Sequence, residues 1–121
     1  MNASLQDLQR LIRALQRFNQ FDTKMQVSTM LVLLEVAEAT LSSSDISNSD
    51  LEKKIGLQSG TSSRNVYYWA DGHPDVRGAH KMVTVRINAE DRRKRDLSLN
   101  AKGRTFVNTV LDDFRGTSSR S

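Results

Sequence analysis

The chain has 121 residues and a formal charge of +4 with a pI near 9.8, enough for one domain and biased toward a polyanionic partner if the excess charge is concentrated. It contains no cysteine, which excludes disulfides, thiolate metal sites and cysteine redox chemistry. No basic-then-apolar leader opens it, and its strongest apolar run, Met30 to Leu34, is far too short to cross a bilayer, so a soluble, cytoplasmic and nucleoid-associated protein is expected.

In chain order, Leu5, Leu8, Ile12 and Leu15 repeat with a 3, 4, 3 spacing, and Leu11 and Phe18 stand beside them. This predicts an amphipathic helix from about Ser4 to Phe18, with Ser4 as its N-cap. Its stripe suits either the chain's own core or a seam between subunits. A hydrophobic content of 37% is low for a globular chain, which favours a partner supplying part of the burial. A second helix, Met25 to about Thr40, is apolar around most of its circumference through Val27, Met30, Leu31, Leu34, Val36 and Ala37, and is expected to be the pillar of the core. The turn-rich segment Ser42 to Asn48 follows, with Ile46 placed to add a short edge strand to a later hairpin.

Ser49 or Asn48 is then expected to cap a short helix that buries Leu51 and Ile55 and ends at Gly56 in the left-handed conformation. After Gln58-Ser59-Gly60 comes another helix. Val66, Trp69 and Ala70 form its apolar side, while Thr61, Ser62, Ser63, Arg64, Asn65 and Tyr68 are expected to project outward. Trp69 is expected in the core, with Tyr68 rather than Tyr67 outside. Gly72 and Pro74 break the pattern into a loop, and Val76 to His80 is expected to carry a short extended piece.

Met82 to Ile87 alternates as a strand with one polar and one apolar face, Leu97 and Leu99 keep the period on the return, and Asn88 to Lys94 falls at the hairpin tip. Asn100 caps a last helix with the stripe Phe106, Val107, Val110, Leu111 and Phe114, and a disordered tail is expected over 116–121. The cationic excess concentrates here. Arg77, Lys81, Arg86, Arg92, Arg93, Lys94, Arg95, Lys102 and Arg104 face only Glu90, Asp91 and Asp96 in this stretch.

Helix, turn, helix and basic hairpin in that order predict a mainly α fold with a small β-hairpin wing, a winged helix-turn-helix. The expected organisation is one domain over 1–115, with a dimerisation helix at 1–18, the helix-turn-helix at 49–70, the wing at 82–99 and the last helix at 101–115. The run Asp91 to Arg104, with Asp91-Arg92-Arg93, Leu97-Ser98 and Lys102-Gly103-Arg104, resembles the wing and following helix of the MarR family of transcriptional regulators. Leu51 to Leu57 and Ser62-Ser63-Arg64-Asn65-Val66 are similar to pieces of that family's helix-turn-helix. The resemblance covers about half the chain. It implies a homodimer with first and last helices intertwined, and two recognition helices reading a palindromic operator. On this chain the dimer surface would come from Leu5, Leu8, Ile12 and Leu15 with Phe106, Val110 and Phe114.

The residues that would touch double-stranded DNA follow from this arrangement. The N-terminal part of a recognition helix lies nearest the base edges, so Arg64 is suited to guanine, Asn65 to adenine, and the hydroxyls of Thr61, Ser62 and Ser63 to phosphates. Tyr68, Lys81 and Arg86 would flank the duplex. Arg92, Arg93, Lys94 and Arg95 at the tip suit a narrow groove or its phosphates, with Asp91 pairing Arg93 to stiffen the turn. His73 and His80 share one loop without a carboxylate cluster, and no phosphate-cradling glycine loop or nucleophile elbow is present, which argues against an enzyme, a metal or a cofactor. Two other readings share the fold: an adaptor for transcription or replication machinery, and a sequence-independent DNA-binding protein. A small-molecule inducer is compatible with the family resemblance, but no convergent polar set in the sequence marks its pocket.

Overall fold

A computed structural model of the chain describes residues 3–71 and 80–116. The extended piece expected at 76–80, apart from His80, and the tail beyond Gly116 lie outside the described residues. Among the described residues, five α-helices and one antiparallel hairpin run in the order α1 (Leu5–Phe21), α2 (Val27–Leu41), α3 (Asn48–Leu51), α4 (Ser59–Trp69), β1 (Val83–Ile87), β2 (Arg95–Leu99) and α5 (Ala101–Arg115).

α1 starts where the Ser4 hydroxyl accepts from the Asp7 N–H and runs one turn further than its leucine stripe suggests, to Phe21. The extra turn has a physical reason. Ala14 and Phe18 are buried on a face distinct from the leucines, and Phe21 extends that second face onto Trp69 and Phe106. α1 and α5 are pinned by Phe18 edge-on to Phe106 at 5.6 Å and by Arg17 Nε donating to Asp113 Oδ2 at 2.7 Å. α2 is the expected pillar, with Val32, Leu33 and Val36 fully enclosed.

α3 is capped by Ser47 and not by Asn48 or Ser49. The Ser47 hydroxyl accepts from the Asp50 N–H while the Asp50 carboxylate accepts from the Ser47 N–H, a reciprocal capping box. The helix then widens into a π turn over Glu52–Gly56 and stops at Gly56, whose φ of +83° is the left-handed conformation expected of it. β1 and β2 pair in the register Val83↔Leu99 through Ile87↔Arg95. Ile46 adds the anticipated edge contact, its carbonyl accepting from the Leu97 N–H beside a Ser47↔Asp96 bridge. Asn100 caps α5 through Gly103 N–H.

Two of the residues assigned to the dimer surface belong instead to this chain's own core. Val110 is buried, and Phe106 packs among Phe18, Phe21 and Trp69, because the 3, 4 spacing of α5 points this stripe into the bundle. The leucine face of α1 is different. Leu5, Leu8, Leu11, Ile12 and Leu15 remain 46–70% exposed, as does Phe114 at 49%.

Candidate nucleic-acid interface

Side-chain hydrogen bonds divide α4 into an anchored flank and an open one. On the anchored flank, the Ser62 hydroxyl is fully enclosed and donates to Asn48 Oδ1 at 2.7 Å. The Asn65 side chain accepts from the Thr29 hydroxyl at 2.6 Å and donates to the Thr61 carbonyl at 3.1 Å. Trp69 Nε1 donates to the Thr29 carbonyl at 2.8 Å, and the Tyr68 hydroxyl donates to Asp22 Oδ2 at 2.6 Å. Three sequence assignments are thereby corrected. Ser62 does not project outward, Asn65 spends its amide on α2 and its own helix rather than presenting it for adenine, and Tyr68 packs inward against Trp69 and His80. The cause is shared: a buried polar group must find a partner, and α1, α2 and α3 supply one to each.

The open flank carries Gly60, Ser63 and Arg64, Gly60 lying three and four residues before the other two. Arg64 and Gly60 are exposed, while Thr61, Ser63 and Tyr67 are half-buried. Gln58 occupies the N-cap of α4 without a side-chain bond to it, so no side chain competes for the first-turn N–H groups, a position that favours an anion.

At the wing tip, Asn88 Oδ1 accepts from the N–H groups of Glu90 and Asp91, and Asn88 Nδ2 donates to the Asp96 carboxylate. Asp91 Oδ1 accepts from both the backbone N–H and the Nε of Arg93, as expected of a stiffening pair. Arg95 folds its guanidinium onto the Arg92 carbonyl at 2.8 Å. Arg86, Arg92, Arg93, Lys94 and Arg95 are all exposed.

The wing and α4 meet at the same small structure, the cap of α3. Asn48 of that cap holds Ser62, and Ser47 pairs with Asp96 of β2. The Asp50 carboxyl is held below the usual range first by the Ser47 N–H, with the Ser47 hydroxyl and the charges of Lys94 and Lys53 adding and burial opposing. Lys81 is not brought to this place. It sits at the hairpin base with φ +55°, its carbonyl accepting from Asn100 Nδ2. Met82 and the five residues of β1 separate it from Asn88 at the tip, about 23 Å at about 3.3 Å per residue.

Behind α4, His80 packs edge-on against Phe21 at 4.5 Å and Tyr68 at 4.7 Å. Burial lowers its pKa, the Lys102 charge lowers it further, and Asp22 pulls the other way. Burial also raises the Tyr68 pKa, and the bond to Asp22 raises it further. Between α1 and α5 lies an open cleft of about 540 Å³, with Phe21, Phe106 and Met82 among its walls and Arg17 and Lys102 at its edge. Among the described residues no group of three or more His, Cys, Asp or Glu side chains is placed to hold a metal ion, and no helix is long and apolar enough to cross a membrane.

No protein-family profile matches the sequence, and no curated protein does. Solved structures match in shape. The Staphylococcus aureus MepR–DNA complex superposes with a TM-score of 0.70 at 17% identity, covering 88% of this chain and 76% of that one. RV1404 from Mycobacterium tuberculosis gives 0.66 at 18% identity, over 93% and 69% of the two chains. MarR gives 0.63 at 14%, over 88% and 69%. The fold is that of the MarR-type winged-helix regulators, as the wing and helix-turn-helix sequences led us to expect.

Proposed function

We propose that this chain is a sequence-specific, double-stranded-DNA-binding transcriptional regulator, in the simplest case a repressor, acting as a homodimer in the cytoplasm. The open flank of α4, centred on Arg64, enters the major groove, and the wing lies on the adjacent minor groove or its phosphates. The observation that carries this reading is the shared attachment of α4 and the wing to the start of α3, where Asn48 holds Ser62 and Ser47 bridges Asp96. The MepR structure of the same fold is a complex with DNA, which supports it. The uncapped N-terminus of α4, with the half-buried hydroxyls of Thr61 and Ser63 beside it, suits phosphate contacts that set register, while Arg64 suits the O6 and N7 of guanine. The exposed face of α1 is the proposed dimer surface, and the cleft between α1 and α5 is where a small ligand would act.

Selection of bound sequences from a random duplex pool at near-physiological salt tests the proposal. An inverted repeat is expected, its half-sites about 10 base pairs apart or a multiple of that. Arg64→Ala should weaken binding to the selected sequence by about 1–3 kcal/mol and leave binding to random duplex nearly unchanged, whereas Arg92→Ala should weaken both and reduce the salt slope by about 1. Enrichment of nothing would leave a sequence-independent binder or a protein adaptor in its place.

A further inference from the structure

α1 and α4 meet through the C-terminal end of α1, and two kinds of contact join them there. Phe21 stacks on Trp69 with ring centroids 5.9 Å apart and touches His80 at 4.5 Å. Ring contacts of this kind supply burial but tolerate sliding, since the attraction is broad in angle. The Tyr68 hydroxyl bonded to Asp22 Oδ2 at 2.6 Å is directional. Its acceptor is aimed in advance. Asp22 is the C-cap of α1, its own N–H donates to the Phe18 carbonyl, and its Oδ1 accepts from the Lys24 N–H at 3.0 Å, so both carboxylate oxygens are committed.

Either side of this joint is braced independently. α4 is held to α2 and α3 by Asn65, Trp69 and Ser62. α1 is held to α5 by Arg17 and Phe18. Asp22 lies seven positions after Leu15, the last exposed leucine of α1, about 10 Å along one helix at about 1.5 Å per residue. The proposed seam between copies and the joint therefore sit on one helix.

We propose that the Tyr68–Asp22 hydrogen bond determines spacing specificity: it sets the angle between the dimer rod α1 and the reading helix α4, and so the single distance between half-sites that the dimer accepts. This rests on the dimeric DNA-reading function proposed above. Geometry makes the lever sensitive. With half-sites about 34 Å apart, each reading helix swings at about 17 Å from the dyad, and a tilt of about 10° moves it by about 3 Å, close to one base-pair step. Tyr68 and Asp22 touch no base in this scheme; they are positioning residues.

The test uses the inverted repeat selected by the wild-type chain, rebuilt with its spacer shortened or lengthened by one and two base pairs, and an isolated half-site. Wild type is expected to lose at least about tenfold in affinity for a one-base-pair change. Tyr68→Phe, which deletes the bond and keeps the ring, is expected to lose less than about threefold across the series while binding the isolated half-site within about twofold of wild type. If Tyr68→Phe keeps the wild-type spacing profile, or weakens the half-site as much as the full repeat, the proposal is overturned. Should Tyr68→Phe lose its helical circular dichroism, Asp22→Ala removes the same bond from the other partner and is scored identically. A wild-type chain that selects no repeat overturns the DNA-reading function itself, and the joint's role with it.

Discussion

Tyr67 and Tyr68 are adjacent, and the rotation of about 100° between neighbouring helical residues gives them different surroundings. Tyr68 turns toward the aromatic group around His80, where its hydroxyl meets Asp22. His80 in that group makes a pH prediction. Its pKa lies below the ordinary value because it is buried among rings, so the folded chain favours the neutral imidazole. A lowered folded-state value contributes stability that is complete above the unfolded pKa of about 6.5 and is lost as pH falls through the lower folded value. Urea midpoints measured at pH 7 and pH 5 should therefore differ more for wild type than for His80→Gln; equal differences would show that His80 carries no such load. At this scale the sequence was legible only where chemistry and period agreed. Arg64 is long, charged and outward, as read. Ser62 and Asn65 are small polar residues, and whether such a residue faces a groove or a neighbouring helix depends on Asn48 and Thr29, which are distant in sequence.

The elements themselves were easier to read, because each is dictated by its own stretch of chain. Alternation over Val83 to Ile87 and Leu97 to Leu99 fixes the hairpin and its tip, and Asn100 fixes the start of α5. The cap of α3 was harder to place because Ser47, Asn48 and Ser49 can all serve. Asp50, three residues after Ser47, decides it by closing the reciprocal pair. The π turn left no signal that period alone could reveal. Where α5 leaves the hairpin, Gly103 is enclosed, and a Cβ there would run into the carbonyl oxygen of Met82 and touch the Leu99 side chain. That oxygen is backbone and also accepts from the Asn100 N–H, so it cannot easily give way. Gly103→Ala should cost about 1–3 kcal/mol of unfolding free energy by urea titration despite alanine's better helix propensity. A variant as stable as wild type would mean that α5 can back away from the hairpin freely.

For the molecule as a whole, the two faces of α1 matter most. Period alone marks Leu5, Leu8, Ile12 and Leu15 as one stripe but cannot say which chain covers it, and the described residues of this chain leave it 46–70% exposed. Ala14, Phe18 and Phe21 do the intramolecular packing instead. Replacing Leu8 and Ile12 together by glutamate should leave the fold intact by circular dichroism and turn a dimer into a monomer in sedimentation equilibrium, with loss of affinity for a repeat. Monomeric wild type, or a doubly substituted chain that still dimerises, would place the seam elsewhere. One consequence remains in the way α4 is seated. Its four polar attachments, at Ser62, Asn65, Tyr68 and Trp69, reach three different helices, and among the described residues no buried side-chain polar atom is left without a partner. To swivel α4 about its axis is to strand several of these groups together, and their costs add. Any ligand that turns this helix must therefore break several of these bonds at once.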